Sequence, residues 1–290
     1  MSTDIFEIGY KIVDDNTINV YKFTPEILDL IKTKYTRVYL YTDMGNNKFK
    51  NIIIPDKLPV NIKYLELSLC DHPLPILPDN LEELVITSVY FNHPLPESLP
   101  NSLINLKLST SYNYPLPKIL PPKLKYLELN GDFNHLLPKL PDTLLSLNVN
   151  YNYKHELPEL PNSLEKLIVY SKTIKPITKF PSNLKILWLN ENYNYPYVNS
   201  LPLSLIDLTI NNNCYLQELP SNLESLTLHY KFDSPLPLLP ITLKHLYLHM
   251  QYNHVLPEPL PVHLETLYMG ALYSHSLDNL PQGLLKLIIV

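Results

Sequence analysis

The sequence predicts a mainly β solenoid, a stack of about twelve short coils of about 20 residues each behind a small α+β cap. Three observations predict this fold class. The motif Leu-Pro-x-x-Leu-x-x-Leu-x-Leu recurs along most of the chain, its end alternates leucine with other residues, and prolines crowd the stretch before it. A single repeat of this length cannot bury its own apolar face, so the repeats must stack and share one core.

The N-terminal residues 1–57 lack the motif and are predicted to cap the first coil, whose apolar face would otherwise meet water. Thr24 and Pro25 favour a helix start, because threonine accepts a backbone hydrogen bond as N-cap and proline suits the first helical position. Alternating apolar residues predict strands on either side. The expected elements are a hairpin of strands 5–13 and 17–23, a helix to about residue 34, and strands 38–41 and 50–54.

The predicted repeat domain, residues 58–290, contains the motif twelve times. Its first residue is leucine in every coil except one, where Phe180 takes the place. The regular spacing means that all coils share one shape and that loops absorb differences of one or two residues. The first residues of the motifs are Leu58, Leu77, Leu99, Leu120, Leu140, Leu160, Phe180, Leu201, Leu219, Leu239, Leu260 and Leu280.

The Leu-x-Leu end of each motif has the period of two that indicates a short strand with one buried face. Successive coils would place these strands side by side in a parallel sheet, with both leucines inward and the residue between them outward. The outward column consists of Glu66, Val85, Lys107, Glu128, Asn148, Ile168, Trp188, Thr209, Thr227, Tyr247, Tyr268 and Ile288.

The other half of each coil is predicted to be an extended, proline-rich return, as in Pro115-Leu-Pro117. Proline holds φ at about −65° and pushes the preceding residue into extended geometry, so a regular helix is excluded there. Polar residues that follow the motif proline, such as Ser102 and Thr143, are expected to hydrogen-bond the local backbone of a turn.

An aromatic residue followed by Asn or Asp precedes most returns, as in Phe91-Asn92. Because this pair repeats along the stack, it indicates a structural role. The aromatic ring is predicted to fill the interior of the coil, and the asparagine to satisfy backbone groups at the corner. The asparagines assigned to this structural motif are Asn92, Asn113, Asn134, Asn194 and Asn253.

Three segments carry a family resemblance. Phe91-Asn-His-Pro-Leu-Pro96, Tyr112-Asn-Tyr-Pro-Leu-Pro117 and Phe232-Asp-Ser-Pro-Leu-Pro237, each followed by the leucine motif, resemble the FNIP repeat. The resemblance covers residues 58–290 and implies a leucine-rich-repeat-like fold. Such proteins are known mainly from social amoebae and the giant viruses that infect amoebae. They often carry an F-box, which implies substrate recruitment to ubiquitin ligases. The segment that begins at Phe23 resembles a degenerate F-box start.

Composition and sequence patterns argue against nucleic-acid binding and membrane association and indicate a cellular compartment. The net charge is −5 and no Lys or Arg stripe is present, which disfavours nucleic acid. Cys70 and Cys214 lie about seven coils apart, too far for a disulfide bond, which indicates a reducing compartment. The chain shows no signal-peptide pattern and no apolar run of membrane-spanning length. We therefore expect no membrane association and a cytoplasmic location, in the host cytoplasm if the protein is viral.

The outward column is the natural recognition surface, because large aromatics on an exposed sheet are typical of binding anchors. Its later coils are the aromatic ones, and Trp188 is the single tryptophan of the chain. The opposing interpretation is that tyrosine and tryptophan simply suit strands. The candidate partner-binding residues are Ile168, Tyr170, Trp188, His229, Tyr247, His249 and Tyr268.

No catalytic signature or metal-ligand cluster is present in the sequence, which predicts no enzyme, no metal and no cofactor. The expected function is a non-catalytic scaffold that binds a protein partner of unknown identity. The first alternative is a ubiquitin-ligase substrate-recognition subunit. The second is a carbohydrate-binding or polysaccharide-active solenoid, for which Trp188, Asn190 and Asp207 come closest. The apolar ending at residues 287–290 also predicts self-association through the C-terminal coil.

Overall fold

The part of the chain that the computed structural model describes comprises residues 9–41, 54–170, 176–190, 201–211 and 214–290. The predicted fold class is confirmed: the chain is a mainly β solenoid of about 12 turns. It divides into two compact units, residues 1–153 and 154–290. The strand predicted at 50–54 falls almost entirely outside the described residues, and the cap boundary at residue 57 stays a prediction.

The first unit contains one described helix and eight described strands. In chain order they are β1 (Tyr10–Ile12), β2 (Thr17–Val20), α1 (Pro25–Thr33), β3 (Arg37–Tyr41), β4 (Tyr64–Ser68), β5 (Glu83–Ile86), β6 (Asn105–Leu108), β7 (Tyr126–Leu129) and β8 (Ser146–Val149). β1 and β2 form an antiparallel hairpin, and from β2 onward each strand pairs in parallel with the next. β3 therefore acts as a first coil ahead of the first leucine motif.

The helix of the cap is anchored at both ends. Thr24 is its N-cap and accepts a hydrogen bond from the Ile27 backbone N–H at 3.3 Å, as the sequence predicts. Ile27 and Ile31 are buried against the sheet end. At the C terminus, the Asn61 side-chain amide donates to the carbonyl oxygens of Ile31 and Tyr35, both at 2.8 Å. Asn61 belongs to the first motif, so the cap is tied to the solenoid by its helix end.

The second unit contains seven described strands, each paired in parallel with the next. They are β9 (Lys166–Val169), β10 (Ile186–Leu189), β11 (Asp207–Ile210), β12 (Ser225–Leu228), β13 (His245–Leu248), β14 (Thr266–Met269) and β15 (Lys286–Ile289).

The leucines of the motif form the core of both units. The inward strand residues are buried from β4 to β14, and Leu65 and Leu67, for example, have no exposed surface. The Pro-x-x-Leu spacing is explained by a turn: the Leu81 backbone N–H donates to the Pro78 carbonyl at 3.0 Å, and the same bond recurs in later coils. Proline thus begins each turn, and the leucine that closes it enters the core.

The aromatic residues of the corners fill the coil interior, as predicted. In the first unit they form a ladder with consecutive ring centroids 6.3 Å apart and ring planes within 15° of parallel. Each ring of the ladder is fully buried, and offset stacking of this kind adds to the free energy of burial. The ladder consists of Phe91, Tyr112, Phe133 and Tyr153.

The corner asparagines bond to backbone groups, as predicted, but the groups belong to the next coil. The Asn92 Oδ1 accepts from the Asn113 backbone N–H at 3.1 Å, and the Asn113 Oδ1 accepts from Asn134 at the same distance. Asn253 accepts from the Ser274 backbone N–H at 2.9 Å. Asn194 lies outside the described residues. The motif therefore links successive coils as well as closing each corner.

The prediction that Ser102 and Thr143 bond to the local backbone is wrong. The Ser102 hydroxyl donates to the carbonyls of Asp79 and Leu81, both at 2.6 Å, and these residues belong to the preceding coil. Thr143 does the same with its own preceding coil at 2.8 and 2.9 Å. Stacking places the carbonyls of the preceding turn beside each hydroxyl, so the inter-coil bond replaces the local one.

Candidate binding face

The strand register of the second unit places the predicted outward column in one continuous row. Trp188 is paired with Thr209, Thr209 with Thr227, Thr227 with Tyr247, and Tyr247 with Tyr268. Each inward neighbour in the strands is a buried leucine, isoleucine or methionine. Trp188 and Tyr247 are three strands apart, which corresponds to about 14 Å. We define the binding face as the large side chains of this row and those just after the strands, which are half-buried except for the exposed His229. It comprises Tyr170, Trp188, His229, Tyr247, His249 and Tyr268.

Trp188 lies near one end of the binding face, close to the charged side chains of Lys166 and Asp207. The Lys166 ammonium lies 5.5 Å from the centroid of the indole ring, a cation–π distance. Asp207, on the strand after Trp188, has a raised pKa, because burial penalises its carboxylate more than the Trp188 indole and the Lys166 charge stabilise it. The ring is thus packed beside Lys166, and its Nε1–H is buried without a hydrogen-bond partner among the described residues.

Tyr247 and Tyr268 lie together at the other end of the binding face. Their ring centroids are 6.3 Å apart with the planes tilted by 41°, and the His245 ring lies 6.5 Å from Tyr247. Both tyrosines are half-buried, with their outer surfaces toward solvent. Rings fixed by their neighbours lose little conformational entropy when they bind, which is what binding anchors require.

The two predicted histidines lie just after β12 and β13. The pKa of His229 is lowered, first because burial disfavours the imidazolium and second because of the nearby His249. The His249 ring contacts Tyr230 edge to face at 5.7 Å, and its Nδ1 accepts from the Gln251 backbone N–H at 3.4 Å. The His249 ring therefore packs against Tyr230, which belongs to the same coil as His229.

Ile168 does not belong to the binding face, and its prediction as a binding residue is wrong. It occupies the expected outward position in register with Trp188, but only 6% of its surface is exposed. A large indole on the adjacent strand leaves little of the isoleucine uncovered. Tyr170, which directly follows the same strand, is half-buried and remains part of the binding face.

Sequence reasoning from a single column missed Lys166 and Tyr230. Lys166 belongs to the row of residues that opens the strands, two positions before the predicted column, and becomes a neighbour of Trp188 only by strand pairing. Tyr230 follows His229 directly and is exposed. The row that opens the strands would have found Lys166, whereas Tyr230 lies two residues beyond the end of β12 and is in neither row.

The described residues contain no group of three or more His, Cys, Asp or Glu side chains arranged for a metal ion. Within the same residues, no helix is both long and apolar enough to cross a membrane. What the face presents is a set of fixed rings, interrupted by the small polar residues Thr209 and Thr227.

Comparison with known proteins supports the family resemblance. Residues 91–132 match the FNIP repeat, a segment that contains two of the aromatic-Asn corners of the ladder. None of the curated proteins matches the sequence significantly. The FNIP resemblance proposed from these motifs is therefore confirmed for the segment that carries them.

Two solved structures are similar to this chain. CroV588, a circular leucine-rich-repeat protein from a giant virus, is 27% identical with a TM-score of 0.72 over 88% of this chain. YopM from Yersinia pestis, a leucine-rich effector protein, is 28% identical with a TM-score of 0.55, over 81% of this chain and 69% of YopM. The match covers 40% of CroV588. The fold is therefore that of a leucine-rich-repeat protein.

Proposed function

We propose that this leucine-rich-repeat-like solenoid with an FNIP repeat is a non-catalytic scaffold that binds a protein partner through the binding face of its second unit. The observation that carries the proposal is the row of fixed rings from Trp188 to Tyr268 on the outward side of the sheet. Tryptophan and tyrosine are enriched at the centres of protein interfaces. The similarity to repeat proteins supports the same role, because stacked repeats create extended binding surfaces.

The alternative of a ubiquitin-ligase subunit receives less support from the cap. An F-box is helical over about forty residues, whereas residues 9–41 contain a single helix of nine residues between strands β2 and β3. This helix is used to close the first coil through Asn61. The resemblance at Phe23 is accounted for by the helix start at Thr24 and Pro25.

The carbohydrate alternative also receives less support. A sugar-binding tryptophan needs free polar neighbours, but the Asn211 side-chain amide donates to the Asn190 Oδ1 at 2.8 Å. Lys166 contacts the indole ring of Trp188, whereas the Trp188 Nε1 and the Asp207 Oδ1 are buried and form no hydrogen bond in the described part of the chain. Because these atoms are buried, they present no free polar group to a glycan hydroxyl at the surface. We propose a cytoplasmic location on the composition of the chain and on its two buried thiols, which form no disulfide bond.

The binding face predicts a loss of partner when its anchors are removed. In an affinity pull-down from amoebal lysate, the double variant Trp188→Ala/Tyr247→Ala is expected to lose at least about 90% of a specific partner, because each hot-spot truncation costs about 2 kcal/mol or more. Quantitative mass spectrometry of the captured proteins measures the loss.

The matched control is Tyr126→Ala. Tyr126 is also an exposed strand tyrosine, but it lies in β7 of the first unit, outside the binding face. This variant should retain the partners of the wild type. If the double variant and the control capture the same partners as the wild type, the choice of face is wrong.

Self-association through the C-terminal coil is a separate proposal for the 290-residue chain. Leu287, Ile288, Ile289 and Val290 are between 38% and 52% exposed, and β15 pairs with β14 on one side. An exposed apolar strand edge favours pairing with another strand. Light scattering coupled to size exclusion at high micromolar concentration should show a dimer that Ile289→Lys abolishes. A strict monomer of the wild-type chain would refute the proposal.

A further inference from the structure

A second aromatic surface lies on the outward side of the first unit, at strands β2 to β5. Strand pairing places Tyr39 beside Glu66 and Tyr41 beside Ser68. The Tyr39 ring lies 5.2 Å from that of Tyr64, and the Tyr41 ring stacks on Tyr21 at 5.3 Å. Tyr39 and Tyr41 of β3 and Tyr64 of β4 therefore lie around one carboxylate, that of Glu66, and Tyr21, just after β2, stacks on Tyr41.

The Glu66 carboxylate is held by hydroxyl groups alone. It accepts hydrogen bonds from Tyr64 at 2.5 Å and from Ser68 and Thr87, each at 3.2 Å. These three donors fix its position but are uncharged. Among the described residues, no lysine, arginine or histidine forms an ion pair with it. The charge reaches the neighbouring ring, since the pKa of Tyr41 is raised by burial and then by Glu66.

Two other outward carboxylates of the first unit, those of Glu83 and Glu128, differ from that of Glu66 because each lies near a cationic side chain. Glu83 lies 3.9 Å from the Arg37 guanidinium, and Glu128 lies 3.1 Å from the Lys107 ammonium. Glu66 occupies the same outward row as Glu128. A half-buried, positioned carboxylate with no counter-charge among the described residues is the electrostatic complement of an external cation.

The tyrosines of this surface already bind a cation from the chain itself. The Arg37 guanidinium lies 4.0 Å from the centroid of the Tyr64 ring, well within the cation–π range. Arg37 also lies 3.9 Å from Glu83 and interacts with the Tyr39 hydroxyl, whereas the half-buried rings of Tyr39 and Tyr41 lie beside Glu66. Aromatic rings around a carboxylate are the arrangement that proteins use to recognise ammonium groups.

We infer that Glu66, Tyr39 and Tyr41 form a binding site for the cationic side-chain group of a lysine or arginine carried by a protein partner. The carboxylate supplies a charge-assisted hydrogen bond, and the two rings cover the alkyl stem and the face of the cation. The site belongs to the first unit, so it is independent of the binding face proposed in the second. It selects a basic segment, whereas the second face selects apolar and aromatic surface.

Labelled hexalysine is a suitable probe, with fluorescence anisotropy as the measurement at low salt. The wild-type chain should bind it, and Glu66→Gln should weaken the binding at least about fivefold, because a close charge pair is lost. The glutamine oxygen can still accept from Ser68 and Thr87, and its amide nitrogen can donate to the Tyr64 hydroxyl oxygen, so the fold should persist. Tyr41→Leu, which keeps the carboxylate, should also weaken binding by at least about twofold.

The matched control is Glu128→Gln, which removes the same charge from the same row, where Lys107 already neutralises it. Its affinity for hexalysine should stay within about twofold of the wild type, as expected for a surface pair. Equal weakening by Glu66→Gln and Glu128→Gln would overturn the site in favour of general attraction to an acidic chain. Absence of wild-type binding would overturn it as well.

Discussion

Replacing Phe133 with alanine is expected to lower the free energy of unfolding by about 3 to 5 kcal/mol, the range for an aromatic ring removed from a packed core. Phe133 is fully buried and lies between Tyr112 and Tyr153, with centroid distances of 6.3 Å on both sides. Loss of this ring leaves a cavity and breaks the ladder in the middle. Urea denaturation followed by circular dichroism measures the shift of the midpoint.

Two variants give this prediction its controls. Ile119→Ala removes an equally apolar side chain that is 83% exposed, and its effect should stay within about 0.5 kcal/mol. Phe133→Tyr keeps the ring, and tyrosine already fills the equivalent place in the adjacent coils, so it should cost less than about 1.5 kcal/mol. If Phe133→Ala is as mild as Ile119→Ala, the ladder does not stabilise the stack.

Gly131→Ala is expected to destabilise the first unit by about 3 kcal/mol or more, through backbone strain and overpacking together. Gly131 has a φ of +59°, a backbone conformation that residues other than glycine rarely adopt. A Cβ atom at this position would lie 1.9 Å from the Thr110 carbonyl oxygen and 2.3 Å from its Cα. Because the obstacle is backbone of the preceding coil, it cannot move aside. Thermal and urea unfolding of the full chain measure the loss.

Gly283→Ala is the matched control for the glycine. Gly283 follows a motif proline by two residues, and a Cβ there meets only the Val262 carbonyl at 3.2 Å. Alanine at this position should change the free energy of unfolding by less than about 1 kcal/mol. Equal effects of the two substitutions would show that the coils are not closely stacked at Gly131.

Most of the fold follows from the repeat. The period of two at Leu65 and Leu67 predicts which strand residues are buried, and the constant spacing of the motif predicts that strands pair in register. The cap helix is predicted by Thr24 and Pro25, because N-capping is a local interaction. These features depend on neighbours in the sequence, so the sequence alone contains the information needed to predict them.

The sites were predictable only in part. The outward row of Trp188 and Tyr247 follows from strand alternation, but exposure within the row depends on the size of the neighbours, and Ile168 is buried for that reason. The surface around Glu66 was not predicted. Its tyrosines come from different coils and from the cap, and only one of these residues lies in the column that the motif defines.

The sequence by itself determined the coil: its strand, its proline turn, its aromatic core and its asparagine corner. These are set by residues within about twenty positions of one another, where backbone geometry and periodicity govern. The tertiary structure alone decided what stacking brings together, including the close approach at Gly131, the inter-coil bonds of Ser102 and the charge of Glu66 among tyrosine rings. Such contacts join residues about one coil apart, and their distances exist only after the coils have stacked.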